Sequence, residues 1–321
     1  MPPTWNDDTL LAQMVASHSY ALALGAPMQV NSALCAGWTD ADVLEARWGD
    51  DFTAYYSRFA ALADEAAGAL LCYGGAPAAA CYHSISNGVT EASQNVWTSA
   101  LPYLQGVASP WDKTADGYET TITYSCEQVD AILQGLGLEP ETLADTAPAA
   151  WFGAAQLDEA GYVASMSVCG EAFSGTRLRR ALALRSTCFT VQYADGTFTF
   201  TTRGYGHCVG LSQHGAQSMA EGGADWREIL TYYFPGCEVV RIPVADGGEG
   251  TVACFHEACG GTLVSVPVSG PYGEAITAEY LQLPGGQAVI EMASAAGLPQ
   301  VEDRKDPCKT TTYGVGQLIR H

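Results

Sequence analysis

The chain has little positive charge. Its 321 residues include only 14 lysines and arginines against 35 aspartates and glutamates, which gives a formal net charge of −21. Nucleic acids and anionic lipid surfaces are held by clustered cations that neutralise phosphate groups, so we expect neither as a partner. The acidic residues are scattered along the sequence, a pattern typical of a surface that keeps a protein in solution.

Long apolar runs are also missing. No stretch reaches the roughly 18 consecutive apolar residues of a membrane-spanning helix, so none is predicted. The N-terminus lacks the basic segment and apolar run of a secretory signal, and the printed sequence therefore carries no export or anchoring signal that we recognise. The composition does permit a sizeable core, because 48% of the residues are hydrophobic.

The eleven cysteines contain no CxxC pair, and because their number is odd at least one is unpaired within the chain. Several lie in apolar or β-like runs, which favours mostly free, buried thiols and leaves a disulfide or two among the later ones open. The run from Cys254 to Cys259 contains residue types that bind metal ions, but no second cluster completes a set of four zinc ligands. A β-strand with incidental cysteines explains this run better. We expect no metal and no other cofactor.

Hydrophobic periodicity predicts an α+β protein rather than a doubly wound sheet, because βαβ units are few. Helices are predicted over residues 6–24, 40–48, 52–70, 127–134, 176–184, 212–220 and 225–233. Hairpins are predicted around Gly74-Gly75 and Asp195-Gly196, strands over 118–124 and 163–168, and a loop over 135–149. After Pro243 the sequence changes to Gly-rich segments and short β-like runs, which indicates a domain boundary near residue 243.

Residues 203–216 (RGYGHCVGLSQHGA) follow a predicted strand and precede a predicted helix. Gly206 and Gly210, like Gly204, would let the backbone bend tightly or approach another surface closely, and a positive φ at either would make that glycine conformationally required. Ser212 can cap the helix, and His207 and Gln213 can point polar groups at a ligand. A buried corner with a satisfied histidine explains the pattern equally well. No P-loop motif is present.

Residues 83–91 (HSISNGVTE), followed by Trp97, form a second polar segment. Hydroxyls, one amide and one carboxylate beside aromatic residues suit a sugar, whose hydroxyls need hydrogen-bond partners and whose ring offers apolar faces. A solvated turn, in which Thr90 and Glu91 start a helix, fits as well. A Ser-His-Asp hydrolase is not favoured, since there is no GxSxG motif.

These segments resemble the stage II sporulation protein D family of peptidoglycan-cleaving proteins. Residues 206–216 (GHCVGLSQHGA) are similar to its motif GHGVGMSQYGA, and residues 82–91 (YHSISNGVTE) are similar to YHSTSNGYTE. Trp97, PYL at 102–104 and SPWD at 109–112 follow in the family's order. The resemblance extends to about residue 240 and predicts two domains: a sporulation protein D-like domain, 1–243, lacking its N-terminal part, and a C-terminal β-rich extension, 244–321, for which we find no resemblance.

The resemblance implies a lytic transglycosylase that cleaves between N-acetylmuramic acid and N-acetylglucosamine during sporulation engulfment. One acid protonates the leaving oxygen, and the sugar's own 6-hydroxyl closes a 1,6-anhydro ring. It also implies a glycan-binding groove formed by the first helix, the 83–91 loop and the 204–216 turn. The expected partners are peptidoglycan glycan strands, with other sporulation wall hydrolases left open. The expected location is extracytoplasmic, with membrane association in the full-length family.

The chain departs from the family pattern near its start. Met1-Pro2 matches a family Met-Pro that directly follows the catalytic Glu, so that acid would precede Met1. His18 occupies the position of an assisting arginine, and a neutral imidazole does not replace a guanidinium. Some members bind zinc through H-x5-C-x4-H-C. Cys35 matches the first cysteine, but Gln29, Asp40 and Ala41 occupy the other places, so no zinc is expected.

Two hypotheses therefore stay open: a truncated sequence of an enzyme, or a catalytically inactive peptidoglycan-binding module. Glu91 is the sole carboxylate of the matched loop and is an alternative acid. The candidate groove residues are His18, His83, Ser84, Ser86, Asn87, Thr90, Glu91, Tyr205, His207, Ser212 and Gln213.

Overall fold

The computed structural model describes residues 1–25, 39–97, 99–241, 248–301 and 306–321. These residues form two compact units, Met1–Val240 and Arg241–His321. Helices are mixed with mainly antiparallel sheets, so the predicted α+β class is confirmed. The predicted boundary near residue 243 lies outside the described residues, as do Gln29 and Cys35 of the compared zinc pattern.

The first unit contains helices α1 Asp7–Ala23, α2 Ala41–Trp48, α3 Phe52–Ala66, α4 Ser93–Val96, α5 Cys126–Gly135, α6 Pro140–Asp145, α7 Gly175–Ala181, α8 Gln213–Glu221 and α9 Trp226–Tyr233. The second contains α10 Thr251–Cys259, α11 Ala293–Ala296, α12 Leu298–Val301 and α13 Tyr313–Arg320. Among the described residues, no helix combines the length and apolarity needed to cross a bilayer.

The strands are β1 Ala69–Tyr73, β2 Ala76–Pro77, β3 Tyr82–His83, β4 Glu119–Ser125, β5 Phe152–Leu157, β6 Val163–Val168, β7 Glu171–Ser174, β8 Phe189–Ala194, β9 Thr197–Arg203, β10 Leu211–Ser212, β11 Glu238–Arg241, β12 Thr262–Ser269, β13 Ala275–Gln282 and β14 Ala288–Ile290. They form four three-stranded sheets, β11-β1-β2, β4-β9-β8, β5-β6-β7 and β12-β13-β14, and one two-stranded sheet, β10-β3.

Helix α1 forms where the sequence predicts it. The Asn6 side chain caps it by accepting the Asp8 N–H, and Asp7 and Asp8 suit the positive end of the helix dipole. Its buried face, which includes Leu10, Leu11 and Val15, packs with β1, α8 and α9 in the first core of the unit. Each fully buried leucine or valine contributes about 1.5–3 kcal/mol, so this core fixes α1 beside the start of α8.

A second core of the same unit lies on the sheet β4-β9-β8. Phe198 and Phe200 of β9 are fully buried, and Trp151 stacks on Phe198 with ring centroids 5.4 Å apart. The predicted β8–β9 hairpin is confirmed, and both turn residues, Asp195 and Gly196, have positive φ. This core supports Arg203, from which the chain enters the 204–216 turn.

The second unit is built on the β12-β13-β14 sheet, in which β12 and β13 pair antiparallel. Its small core comprises Val266, Val268, Ala278, Ala295 and Leu318.

Four expectations are corrected by the structure. The third helix ends at Ala66, because β1 begins at Ala69. The hairpin at Gly74-Gly75 forms, but its second strand is only Ala76–Pro77. Part of the predicted 135–149 loop is helix α6, which starts at Pro140. The 254–259 run lies on helix α10 rather than on a strand. All ten described cysteines are free thiols.

Candidate functional site

The two motif segments form one structural unit. β3 and β10 pair in parallel, Tyr82 with Leu211 and His83 with Ser212. Farther along, the Tyr205 N–H donates to the Ile85 carbonyl at 2.7 Å, and the Glu91 N–H donates to the Cys208 carbonyl at 2.7 Å. The 83–91 loop and the 204–216 turn, separated by more than a hundred residues of sequence, therefore lie side by side.

Two glycines make this close pairing possible. Gly206 has φ +124° and Gly210 has φ +74°, so both meet the condition of positive φ. A Cβ on Gly206 would lie 2.7 Å from the Cβ of His83, and one on Gly210 would lie 2.2 Å from the Cys81 carbonyl oxygen. Both positions therefore need the left-handed backbone and the absence of a side chain.

The side chain of Asp112, from the SPWD segment, joins the two segments through hydrogen bonds. Asp112 is fully buried and accepts the Ser86 N–H at 2.9 Å, the Ser86 hydroxyl, and the Ser212 hydroxyl at 2.7 Å. Ser212 also caps α8 by accepting the Gly215 N–H at 3.2 Å. The two serines, expected in a substrate groove, are thus hydrogen-bonded inside the protein.

His83 and His207 are both held neutral by burial. His83 Nδ1 donates to the Val209 carbonyl at 3.2 Å, and its Nε2 has no hydrogen-bond partner among the described residues. His207 Nδ1 accepts the Val209 N–H at 3.1 Å, and the ring also bonds the Tyr82 backbone. Burial lowers the pKa of His83 to about 4. Burial, with His83 and Arg179 nearby, lowers the pKa of His207 to about 3. His207 is thus hydrogen-bonded within the protein.

These two imidazoles should make the protein less stable as the pH falls from 6.5 toward 4. In that window the unfolded chain binds protons that the folded chain excludes. Each imidazole therefore lowers the free energy of unfolding by about 1.4 kcal/mol for each pH unit of acidification. In His207→Gln the new amide can accept the Val209 N–H and donate to Tyr82. The variant should therefore lose the part of the pH dependence of stability that His207 contributes. Denaturant unfolding of both proteins at several pH values measures the difference. Parallel pH profiles for wild type and variant would contradict the assignment.

An aromatic cavity of about 210 Å³ opens beside the paired segments and is lined by Tyr20, Cys81, Tyr82, Trp97 and His207. The Trp97 side chain is 42% exposed, and its ring centroid lies 5.0 Å from that of His207. Tyr20 comes from α1, so the cavity brings together α1, the start of β3 and the 204–216 turn. We call it the aromatic cavity. His207 is the predicted site residue that lines it.

Glu91 lines a different, polar cleft of about 500 Å³, together with Asn95, Gln105 and Asp158 among others. The Glu91 side chain is 1% exposed and accepts the Ala92 N–H at 2.7 Å and the Asn95 amide at 2.9 Å. Burial, reinforced by a hydrogen bond with Asp158, raises the pKa of Glu91 to about 8. Its protonated form is therefore favoured, and the residues that line this cleft are not those that line the aromatic cavity.

The other predicted site residues are dispersed. His18 is exposed on α1. Thr90 is fully buried, where its hydroxyl accepts the Val107 N–H. Asn87 donates its side-chain amide to the Ala160 carbonyl, and Gln213 donates to the Gln13 side chain. Ser84 binds the 204–216 turn through its backbone, and Tyr205 is exposed.

Tyr20, Cys81 and Tyr82 were missed as cavity residues, and Trp97 was named beside the polar loop but not among the candidate groove residues. Trp97 had a signal, as an aromatic residue just after the polar loop, whereas Tyr20 lies in an ordinary helical pattern that carries none. Among the described residues, no group of three or more His, Cys, Asp and Glu side chains is placed to hold a metal ion.

Comparison with known proteins finds two likenesses that cover different parts of the chain. Stage II sporulation protein D of Bacillus subtilis (strain 168) is 33% identical over 256 residues, which cover 74% of this chain and 70% of that protein.

The second likeness is to the Glycerate kinase family, whose family model matches residues 214–321. Glycerate kinase of Bacillus subtilis (strain 168) is 47% identical over 88 residues, 27% of this chain and 23% of the kinase. A crystal structure of a putative glycerate kinase 2 from Salmonella typhimurium LT2 is 49% identical over 26% of this chain and 23% of its own, with a TM-score of 0.24 that supports no argument about fold. Residues 244–321, for which sequence analysis found no resemblance, thus lie within the span that the Glycerate kinase family model matches.

Proposed function

The chain belongs to the stage II sporulation protein D family, a membership that supports a sporulation cell-wall function, and we propose that it binds peptidoglycan glycan strands and remodels them during engulfment. Peptidoglycan lies outside the cytoplasmic membrane, so the proposal implies an extracytoplasmic location. The proposed partner is the glycan strand of peptidoglycan.

The aromatic cavity is the observation that carries this proposal. Pyranose rings have apolar C–H faces that pack on aromatic rings, and their hydroxyls need polar partners at the edges. Trp97 offers an exposed indole, while Tyr20 and Tyr82 bring phenol groups to the same cavity. The cavity adjoins both segments by which the chain matches its family.

The reaction that we propose is the one implied by the family resemblance, lytic cleavage between N-acetylmuramic acid and N-acetylglucosamine. It needs one acid at the leaving oxygen. Glu91 lines a cleft separate from the aromatic cavity, so it is not assigned this role. Glycan binding without cleavage, the alternative function, needs only the residues of the aromatic cavity.

Trp97→Ala should weaken binding of purified glycan strands about tenfold or more, because losing one ring-to-sugar contact removes on the order of 1.4 kcal/mol. Tyr313→Ala is the matched control, since Tyr313 is 66% exposed and lies in the second unit. Fluorescence titration with stem-free strands gives the affinities. Equal binding by wild type and Trp97→Ala would reject the cavity as the binding site.

Mass spectrometry of the same mixtures tests the reaction itself. Products with 1,6-anhydro ends are expected from a lytic transglycosylase. A folded chain that binds strands but releases no such ends would be the binding module. A folded chain that does not bind strands at all would refute both forms of the proposal.

A further inference from the structure

The polar cleft beside Glu91 separates two segments that are far apart in sequence. Glu91 and Asn95 line one side of it, and Asp158, Glu159 and Ala160 line the other. These last three residues begin the turn between β5 and β6, residues 158–162, which we call the β5–β6 turn. None of the residues that line this cleft also lines the aromatic cavity, so the proposed glycan contacts do not use them.

Asp158 sets the shape of the β5–β6 turn. Its Oδ1 accepts the Ala160 N–H at 3.0 Å and the Tyr162 N–H at 2.9 Å. Its own N–H donates to the Tyr162 carbonyl at 2.9 Å. An aspartate bonded in this way to the backbone of its own turn is held in one position relative to that turn. The Asp158 carboxylate and the start of the turn therefore move together.

The far end of the β5–β6 turn is fixed to the 83–91 loop by uncharged groups. The Asn87 side-chain amide donates to the Ala160 carbonyl at 2.9 Å, and the Asn87 N–H donates to the Tyr162 hydroxyl at 3.1 Å. That hydroxyl donates to the Val89 carbonyl at 2.7 Å. Tyr162 is fully buried, and burial raises the pKa of its phenol well above the usual range, so these bonds persist through neutral pH.

A hydrogen bond between the carboxyl groups of Glu91 and Asp158 forms a further link across the cleft. Two carboxyl groups bond to each other only while one of them holds a proton. Asp158 Oδ1 already accepts two N–H groups. Glu91 Oε1 likewise accepts from Ala92 and Asn95, which leaves its Oε2 to carry the proton. The link therefore depends on a proton held by a side chain that is 1% exposed.

The groups packed against Glu91 in the described part of the chain offer no positive charge to replace this proton. Helix α4 and residues 104–108 contain no charged side chain. In the 204–216 turn, burial lowers the pKa of His207 to about 3 and raises the pKa of Cys208 to about 12, so both are uncharged at neutral pH. The β5–β6 turn adds a second acid, the exposed Glu159. An ionised Glu91 would thus face negative charge across the cleft.

We propose that Glu91 and Asp158 form a proton-dependent clasp over the polar cleft. With the proton in place, the start of the β5–β6 turn is held against the 83–91 loop. Loss of the proton replaces the hydrogen bond by repulsion between two carboxylates and releases the start of the turn, which widens the cleft at Asp158 and Glu159. The bonds of Asn87 keep the far end in place and act as the hinge.

The direction of the pH dependence follows from the proton that the clasp retains. Burial, with the hydrogen bond to Asp158, raises the pKa of Glu91 from 4.5 to about 8. The closed clasp therefore binds the proton more tightly than the open form, in which Glu91 meets water. Closure is most favoured below pH 4.5, weakens by up to about tenfold for each pH unit above it, and stops weakening near pH 8.

Hydrogen exchange of the β5–β6 turn, followed by mass spectrometry on the full chain without ligand, tests the clasp. Glu91→Gln is the reference, because its amide still accepts from Ala92 and Asn95, donates to Asp158 and cannot ionise. The ratio of exchange rates, wild type over Glu91→Gln, cancels the intrinsic effect of pH on exchange. This ratio should rise by up to about tenfold per pH unit between pH 6 and 8 and then level off.

Two variants on the other side of the cleft serve as controls. Asp158→Asn should end the rise at a lower pH, because its amide can donate to an ionised Glu91. Glu159→Gln removes an exposed acid from the same turn and should behave as wild type. A ratio that stays constant from pH 6 to 8 overturns the clasp. So does an Asp158→Asn profile identical to that of wild type, a comparison that remains if Glu91→Gln does not fold. No glycan is present, so the result is independent of the proposed function.

Discussion

Gly210→Ala is expected to lower the free energy of unfolding by roughly 3–5 kcal/mol. Gly210 has φ +74°, and a Cβ there would lie 2.2 Å from the Cys81 carbonyl oxygen and 3.1 Å from Phe234 Cε1. The carbonyl is backbone, so it moves only if β3 and β10 separate. That separation would stretch the hydrogen bond from the Leu211 N–H to the same carbonyl, now 3.0 Å.

Gly223→Ala separates the cost of backbone strain from the cost of the steric clash with the Cys81 carbonyl. Gly223 has φ +94°, but a Cβ there would meet nothing within 4 Å, so alanine should cost only the backbone strain, about 1–2 kcal/mol. Chemical denaturation of wild type and both variants gives the comparison. Similar losses for the two alanines would show that the approach of Gly210 to Cys81 does not matter for stability.

The elements that sequence predicted well have local signals. Helix α1 has a capping asparagine and two acidic residues in its first turn, and the β8–β9 hairpin has Asp195-Gly196 at its turn. Helix α6 had a signal that the sequence analysis did not use, because Pro140 at the first helical position marks a helix start rather than a loop. Helix α10 was taken for a strand, since a short apolar run cannot be assigned by periodicity alone.

The interior of the site could not be predicted, because it depends on contacts between distant segments. Family motifs indicated that residues 83–91 and 204–216 belong together, but not that Tyr82-His83 and Leu211-Ser212 pair in parallel. Ser86 and Ser212 were expected to face a ligand. They face Asp112 instead, since a buried carboxylate needs donors from both segments. The aromatic cavity likewise needs Tyr20 and Trp97 from elements that share no sequence pattern.

For function, this means that residues of the matched motifs mainly hold the site together through internal hydrogen bonds. We call these residues the frame. His207, Ser212, Ser86 and Thr90 are hydrogen-bonded within the protein. The groups available to a ligand sit on the rim of this frame, at the exposed side chains of Trp97 and Tyr205. Variants of the frame should therefore change stability first, and variants of the rim should change binding with little change in stability.

Asp112→Ala tests the frame most directly and is expected to cost roughly 3–5 kcal/mol of unfolding free energy. The substitution removes the acceptor for the Ser86 N–H, the Ser86 hydroxyl and the Ser212 hydroxyl, all within a fully buried region. The Ser212 hydroxyl can turn to the Ser84 carbonyl at 3.4 Å. The backbone N–H of Ser86 cannot turn, so its hydrogen bond is lost outright.

Asp112→Asn should be milder, at about 1–2 kcal/mol, because one side of the amide still accepts from Ser86 while the other donates to the reoriented Ser212 hydroxyl. Asp116→Ala, in the same segment but exposed, is the control and should stay within about 0.5 kcal/mol of wild type. Denaturant unfolding ranks the three variants. If alanine and asparagine at 112 cost the same as the control, then the SPWD carboxylate does not hold the two segments together.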